Sequence, residues 1–220
     1  MKSKDFSVKR KMVILGAGGM AREAAWIAEE ISQRSPSLAW QVIGFWQADP
    51  QLIGTIINGY PVLDPTQLDG HGMYAIAAIG QPAIRQKVVK QAIEKGFSFA
   101  RLIHPDVVLD FNTTSMGDGV IICPGTTLTT NITIGQHVII NAGCTVSHDC
   151  ILEDYATLSP GCHLAGFTHL EEMAFMGIGS VTIENHHIGR QSVVGAGAVV
   201  IDDIPANSTA IGIPAKVKHQ

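Results

Sequence analysis

The stretch NAGCTVSHDCILEDYATLSPGCH, from Asn141 to His163, gathers three cysteines, two histidines and several carboxylates. Residues of these types support three chemistries. Thiolates and imidazoles together bind zinc. A thiol beside a histidine serves as a nucleophile. An imidazole followed by a carboxylate, here His148-Asp149, moves protons. The cysteines stand at 123, 144, 150 and 162 with no C-x-x-C pair. In a reducing compartment such thiols are expected to be free and buried.

The elements that carry these residues follow a six-residue rhythm. Every sixth residue from Met116 to Val200 is aliphatic or methionine except Thr182, and two places before each, from Val120 to Ser180, comes a small or β-branched residue. A strict hexad is the mark of a parallel β-helix whose short strands lie on flat faces and turn at corners. Cys144, Cys150 and Cys162 fall in the small inward phase, so they are expected to fill the core. With three hexads per coil, Cys144 and Cys162 stack on successive coils.

His148 lies two residues past the inward Val146, in a mostly polar phase, so it faces outward or sits at a corner. Eighteen residues on, Gly166 leaves open space beside its ring. The neighbouring column reads Ala142, Pro160, Ile178 and Ala196, a small apolar strip suited to an elongated ligand. For Asp149 to reach His148 the chain must turn there, because neighbours on a strand point to opposite faces.

Residues 11–99 obey a different period. KMVILG, QVIGFW and MYAIAAIG read as strands, and GMAREAAWIAEEISQR and PAIRQKVVKQAIEKG as helices, the latter opened by Pro82 and closed by Gly96. Alternating strand and helix imply a small parallel sheet of Rossmann-like βαβ type, with ligands at the carboxyl ends of its strands. The expected organisation is a tail over 1–10, an α/β domain over 11–99 and a β-helix over 100–220.

A formal net charge of −4 provides no electrostatic case for nucleic acid or an anionic membrane surface. The start, MKSKDFSVKRKMVILGAGG, has too short an apolar run for a signal peptide or spanning helix, so a cytoplasmic location is expected.

A hexad domain ending in GAGAVVIDDIPANSTAIGIPAK, preceded by a small domain beginning VILGAGGMARE, resembles the bacterial hexapeptide-repeat sugar acetyltransferases. These include sialic acid O-acetyltransferases and N-acetyltransferases of nucleotide-linked 4-amino-4,6-dideoxy sugars. The resemblance runs from about Lys11 to Lys216. It implies a left-handed β-helix, a homotrimer with active sites between subunits, and acetyl-CoA as cosubstrate with no metal. It further implies His148 as general base, Asp149 raising its basicity, and Asn141 lining the same site. Thr157, Ile178 and Ala196 match acetyl-CoA contacts, two of them on the apolar strip. Gly18, Gly19 and Met20, the segment Gln47, Ala48 and Asp49, and Gly80 match the nucleotide-sugar site. Many relatives carry consecutive aspartates where this chain has Gln47 and Ala48, which argues against uridine as the base.

The favoured reaction is direct acetyl transfer to the amine of a nucleotide-linked 4-amino-4,6-dideoxy sugar for bacterial surface glycans, with a sialic acid hydroxyl as the alternative acceptor. Three rivals remain open from the residues alone. Gly16–Ala21 nearly fits the dinucleotide fingerprint, but the acid expected about twenty residues on is missing. A zinc-dependent, carbonic anhydrase-like β-helix would use His148, His163, His169 or the pair His186-His187; a local loop near Thr182 is the simpler expectation for that pair. A sugar-nucleotide scaffold needs no catalysis at all. His104 is expected at the entrance to the first coil, and His71, His137 and His219 on the surface. Lys216 and Lys218 are candidates for coenzyme A phosphates or for plain solvated cations.

Overall fold

The computed structural model describes residues 10–218, so His219 lies outside the described residues. These residues form two compact units, one comprising residues 10–79 and 87–105, the other Gly80–Gln86 and residues 106–218. The division is thus not a single cut near residue 100. The segment Gly80–Gln86 belongs with the coil.

In the first unit β1 (Arg10–Leu15), α1 (Gly19–Arg34), β2 (Trp40–Trp46), β3 (Ile56–Ile57), β4 (Tyr60–Leu63), β5 (Tyr74–Ala77) and β6 (Ser98–Phe99) follow in chain order. The sheet order is β3-β4-β2-β1-β5-β6. β1 is flanked by β2 and β5, both parallel to it, and Met12 to Leu15 are fully buried. That is why KMVIL reads as an unbroken apolar run. α1 buries Ala21, Ala24, Ala25, Ile27, Ala28 and Ile31, a stripe at helical spacing. β3 and β4 form an antiparallel hairpin around Asn58-Gly59, both at positive φ.

The second unit is a left-handed parallel β-helix. Two-residue strands stack eighteen residues apart on three faces. The first carries Ile121–Ile122, Ile139–Ile140, Thr157–Leu158 and Phe175–Met176; the second Thr127–Leu128, Thr145–Val146, His163–Leu164 and Val181–Thr182; the third Thr133–Ile134, Ile151–Leu152, His169–Leu170 and His187–Ile188. Both inward columns of the hexad are buried, from Val120 through Cys144, Cys150 and Cys162 to Ser180. The cysteine thiols donate to carbonyls of the following coil, Cys144 to Ser159, Cys150 to Ala165 and Cys162 to Gly177. Burial pushes the Cys150 thiol up to about 11. Buried and bonded to carbonyls, the three sulfurs fill the core.

Each corner uses a residue with positive φ. After the first face it is glycine (Gly125, Gly143, Gly161, Gly179, Gly197); after the second Asn131, Asp149, Phe167 and Asn185; after the third Gly119, His137, Tyr155, Met173, Gln191 and Asn207.

Two expectations are corrected here. No loop interrupts the coil near Thr182: the strands Val181–Thr182 and His187–Ile188 keep register, and the buried Thr182 hydroxyl lies 2.8 Å from that of Thr168. The hydroxyl pair satisfies itself inside the coil, so a polar residue is tolerated there.

His137 is not a surface residue. It is buried, stacked on Tyr155 with ring centroids 5.1 Å apart, and Arg85 lies close enough for its charge to act on the ring. Burial first, and then the Arg85 charge, hold the imidazole down at about 4. The unfolded chain therefore binds a proton below its ordinary pKa near 6.5 that the native ring refuses. Stability is fully present above that pH and is lost as pH falls toward 4, by about 3 kcal/mol for the full shift. His137→Asn, which tolerates positive φ, is expected to shrink the difference in unfolding free energy between about pH 7 and pH 4.5. Denaturant titrations of both proteins at the two pH values measure it.

Candidate active site

His148 and Asp149 occupy the corner between the second and third faces. The left-handed backbone at Asp149, φ 59°, folds its carboxylate back toward the preceding ring, and His148 Nδ1 donates to Asp149 Oδ2 at 2.8 Å. The turn that the pairing requires is present. The corner is pinned on both sides: Asp149 N–H donates to Thr130 O at 3.1 Å, and Phe167 N–H donates to His148 O at 3.1 Å.

In the neutral tautomer with Nδ1 as donor, Nε2 is the ring's acceptor. The side chain is half exposed, at 51%. Its ring lies over Gly166, where a Cβ would come within 2.5 Å of Cε1 and 2.8 Å of Nε2. Phe167 meets the ring edge-on, with centroids 5.3 Å apart. An imidazole tied to a carboxylate at one nitrogen and open at the other can, when neutral, accept a proton there.

The same face has a second edge. Ala142, Pro160, Ile178 and Ala196 form a column at the corner between the first and second faces, each followed by a glycine at positive φ. A Cβ on Gly143, Gly161, Gly179 or Gly197 would meet nothing within 4 Å, so the column borders open space. Ile178 is 57% exposed, an apolar surface beside that opening. His148 and this strip thus border one sheet face along its two edges.

A model described as the PglD N-terminal domain matches residues 11–92, and one described as bacterial transferase hexapeptide (six repeats) matches residues 131–166. Among solved structures, a variant of perosamine N-acetyltransferase from Caulobacter crescentus, in complex with CoA and GDP-perosamine, is 32% identical with a TM-score of 0.85, over 96% of this chain and 97% of that one. The acetyltransferase domain of PglB from Neisseria gonorrhoeae, in complex with acetyl coenzyme A, is 30% identical with a TM-score of 0.82, over 96% and 100%. WeeI from Acinetobacter baumannii AYE is 32% identical with a TM-score of 0.83, again over 96% and 100%. A search of curated proteins finds no match. The chain belongs to the hexapeptide-repeat sugar acetyltransferases.

In this acetyltransferase Asn141 opens the rung that His148 closes, so the two stand at opposite edges of the second face. The Asn141 side chain donates its amide to Leu158 O at 2.6 Å, which fixes it to the next coil instead of to His148. Thr157 lies on the first face and is buried. Its hydroxyl accepts from Arg85 Nη2 at 2.8 Å, on a different face from the column that holds Ile178 and Ala196.

The predicted nucleotide residues line the carboxyl edge of the acetyltransferase's sheet. Gly18, Gly19 and Met20 open α1 just beyond β1, with Gly18 as the N-cap. Amides at such a helix start suit an anionic group. Gln47, Ala48 and Asp49 follow β2 at the same edge. Gln47 Oε1 accepts from Ala48 N–H at 2.8 Å and Asp49 Oδ1 from Gln51 N–H at 3.0 Å, so the one carboxylate there is held in a turn.

Gly80 belongs to the second unit. With Gln81, Pro82, Met173, Phe175 and Val193 it helps line a cavity of about 680 Å³ beside the first turn of α2 (Pro82–Glu94). Arg85 on that turn is fully buried and donates to Gly80 O, Tyr155 O and Ala156 O as well as Thr157. Burial lowers its guanidinium to about 9.

Two neighbours of the site escape a sequence reading. Arg85 has no periodic signal. Phe167 has one: it interrupts a corner column otherwise filled by Asn131, Asp149 and Asn185. The remaining histidines are dispersed within the chain: His163 Nδ1 sits 2.8 Å from the Thr145 hydroxyl on the second face, whereas the His169 and His187 rings lie tilted to one another on the third with centroids 5.2 Å apart. His186 pairs with Asp203, and His104 is buried against Trp26. His71 is exposed and paired with Asp69. Lys216 pairs with Asp202. Among the described residues no helix is long and apolar enough to cross a membrane.

Proposed function

We propose that this acetyltransferase carries the acetyl group of acetyl-CoA directly to the amine of a nucleotide-linked 4-amino-4,6-dideoxy sugar, with His148 as general base. The observation that carries the reading is the His148 Nδ1 to Asp149 Oδ2 bond of 2.8 Å at an open corner. Asp149 holds the tautomer in which Nε2 accepts a proton and stabilises the imidazolium that results. The amine nitrogen attacks the thioester carbonyl and its proton passes to Nε2; the carbon–sulfur bond then breaks, and the departing thiolate takes that proton from the imidazolium to leave as the thiol of CoA. The protein's thiols take no part, because all of them are buried.

In this reading Ile178 and Ala196 form the edge along which the cofactor lies, and Asn141 shapes the start of the same rung. Thr157, buried beneath Arg85, is left out of it. Gly18, Gly19, Met20 and the segment Gln47 to Asp49 receive the nucleotide; Gly80, which the resemblance also implies, lies in the second unit at the start of α2. The neighbour crystallised with CoA and GDP-perosamine supports an amino-sugar acceptor and a purine base. The single carboxylate after β2 fits the same preference. We extend the reading to a cytoplasmic homotrimer with a neighbouring subunit closing the site, and to surface-glycan synthesis, on the strength of the family resemblance.

The test is thioester consumption against UDP-, GDP- and dTDP-linked 4-amino-4,6-dideoxy sugars beside free sialic acid. Turnover is expected with a nucleotide-linked amine, GDP-linked above UDP-linked. Turnover with sialic acid alone would replace this reading with O-acetylation.

A further inference from the structure

Large side chains at left-handed corners need an explanation, because that backbone suits glycine, asparagine and aspartate and strains an aromatic residue. At the corner after the third face packing accounts for the aromatic and methionine side chains, while Gln191, at φ 56°, is exposed. His137 and Met173 are buried there, and Tyr155 stacks on His137. At the corner after the second face Asn131, Asp149 and Asn185 adopt φ of 56°, 59° and 62° at little cost, but Phe167 adopts 59° and is still 51% exposed. Its ring contact is the edge-on approach to His148 at 5.3 Å. The chain therefore holds a strained, solvent-facing aromatic ring beside its base, where the pattern of the column calls for asparagine.

The direction of the imidazole says what would meet that ring. Nδ1 is committed to Asp149, so an acceptor must approach Nε2. The Cε1–Nε2 edge lies over Gly166, the residue before Phe167. A group within hydrogen-bond reach of Nε2 therefore lies near the Phe167 side chain, whose ring centroid is 5.3 Å from that of the imidazole. In a 4-amino-4,6-dideoxy sugar, the ring carbon next to the one bearing the amine carries a methyl group. The methyl and the ring C–H bonds around it form an apolar patch of the kind an aromatic face accepts.

We infer that Phe167 is a specificity-determining residue of the acceptor site, receiving the deoxy-sugar methyl while His148 receives the amine proton. The inference rests on the proposed function, since it presumes an acceptor amine at Nε2. A 6-hydroxy analogue would place a hydroxyl against the phenyl ring and leave it without a hydrogen-bond partner.

The experiment compares kcat/KM for a GDP-linked 4-amino-4,6-dideoxy sugar with that for its 6-hydroxy counterpart, in the wild type, Phe167→Asn and Phe167→Tyr. Asparagine suits the corner, as at 131 and 185, so the variant is expected to fold. The wild type should favour the deoxy sugar by about 10-fold or more, within the range one apolar group supplies. Phe167→Asn should bring the ratio close to one with the KM for acetyl-CoA unchanged, and Phe167→Tyr should keep the preference. A preserved ratio in Phe167→Asn overturns the inference while leaving acetyl transfer intact. So does a loss equal for both sugars. A smaller assembly or lower Tm with the ratio unchanged would instead make Phe167 a subunit contact. A wild type that acetylates neither sugar overturns the proposed function itself, and this inference with it.

Discussion

His148→Ala is expected to lower kcat by about 10²–10⁴-fold, the span of a positioned general base. The fold should survive, because the side chain is half exposed at a corner and the backbone bonds that fix the corner, Asp149 N–H to Thr130 O and Phe167 N–H to His148 O, do not involve it. Binding of acetyl-CoA should change little, since the proposed cofactor edge is the opposite side of the face. Steady-state kinetics with both substrates, together with calorimetric titration of CoA, separate the two effects. Near-normal turnover would remove the proton acceptor from the proposed mechanism. Asp149→Asn tests the same pair more gently: the amide still allows the left-handed backbone but cannot stabilise an imidazolium as a carboxylate does.

Gly166→Ala is expected to cost nearly as much, by steric means alone. A single methyl there would stand 2.5 Å from Cε1 and 2.8 Å from Nε2 of His148. The imidazole is the movable partner, so it should swing aside, breaking the 2.8 Å bond to Asp149 and carrying Nε2 away from its acceptor. Gly166 does not itself adopt a left-handed φ, so alanine brings no backbone strain. A loss of about 10²-fold or more in kcat is anticipated from misplacing the base, with Tm close to that of the wild type. The double variant His148→Ala/Gly166→Ala should be no worse than His148→Ala alone. Additive losses in that cycle would show that the glycine acts through something other than the ring.

The coil was legible in the sequence because its constraint is local and repeated: each rung must fill the same small interior, and a period of six records that eleven times from Val120 to Ser180 without one large polar residue. The same phase puts the cysteines inside and His148 outside, and a step of eighteen sets Gly166 beside the ring. Other features had no such record. His137 shares an outward-looking phase, yet it is covered at a turn where Arg85 comes close, and a tertiary contact of this kind leaves no period. Thr182 breaks the aliphatic column for a reason visible only in three dimensions, the facing hydroxyl of Thr168. The β3–β4 hairpin did leave a local mark, the Asn58-Gly59 pair suited to a tight two-residue turn, which an alternation of strand and helix passes over. Thr157 matches a family position by resemblance alone, and a resemblance carries no information about which side chain meets the hydroxyl, here Arg85.

The eighteen-residue register of the coil also works as a ruler. Successive rungs of a parallel sheet are separated by about 4.8 Å, so the span between the imidazole at 148 and the alkyl groups at 178 and 196 is fixed by the number of rungs between them and not by flexible loops. A ligand lying along that face is gauged in whole increments. Lengthening it, or shifting where it is grasped, would require the chain to gain or lose a complete winding, which makes reach the least adjustable property of this surface and side-chain identity at the corners the most adjustable.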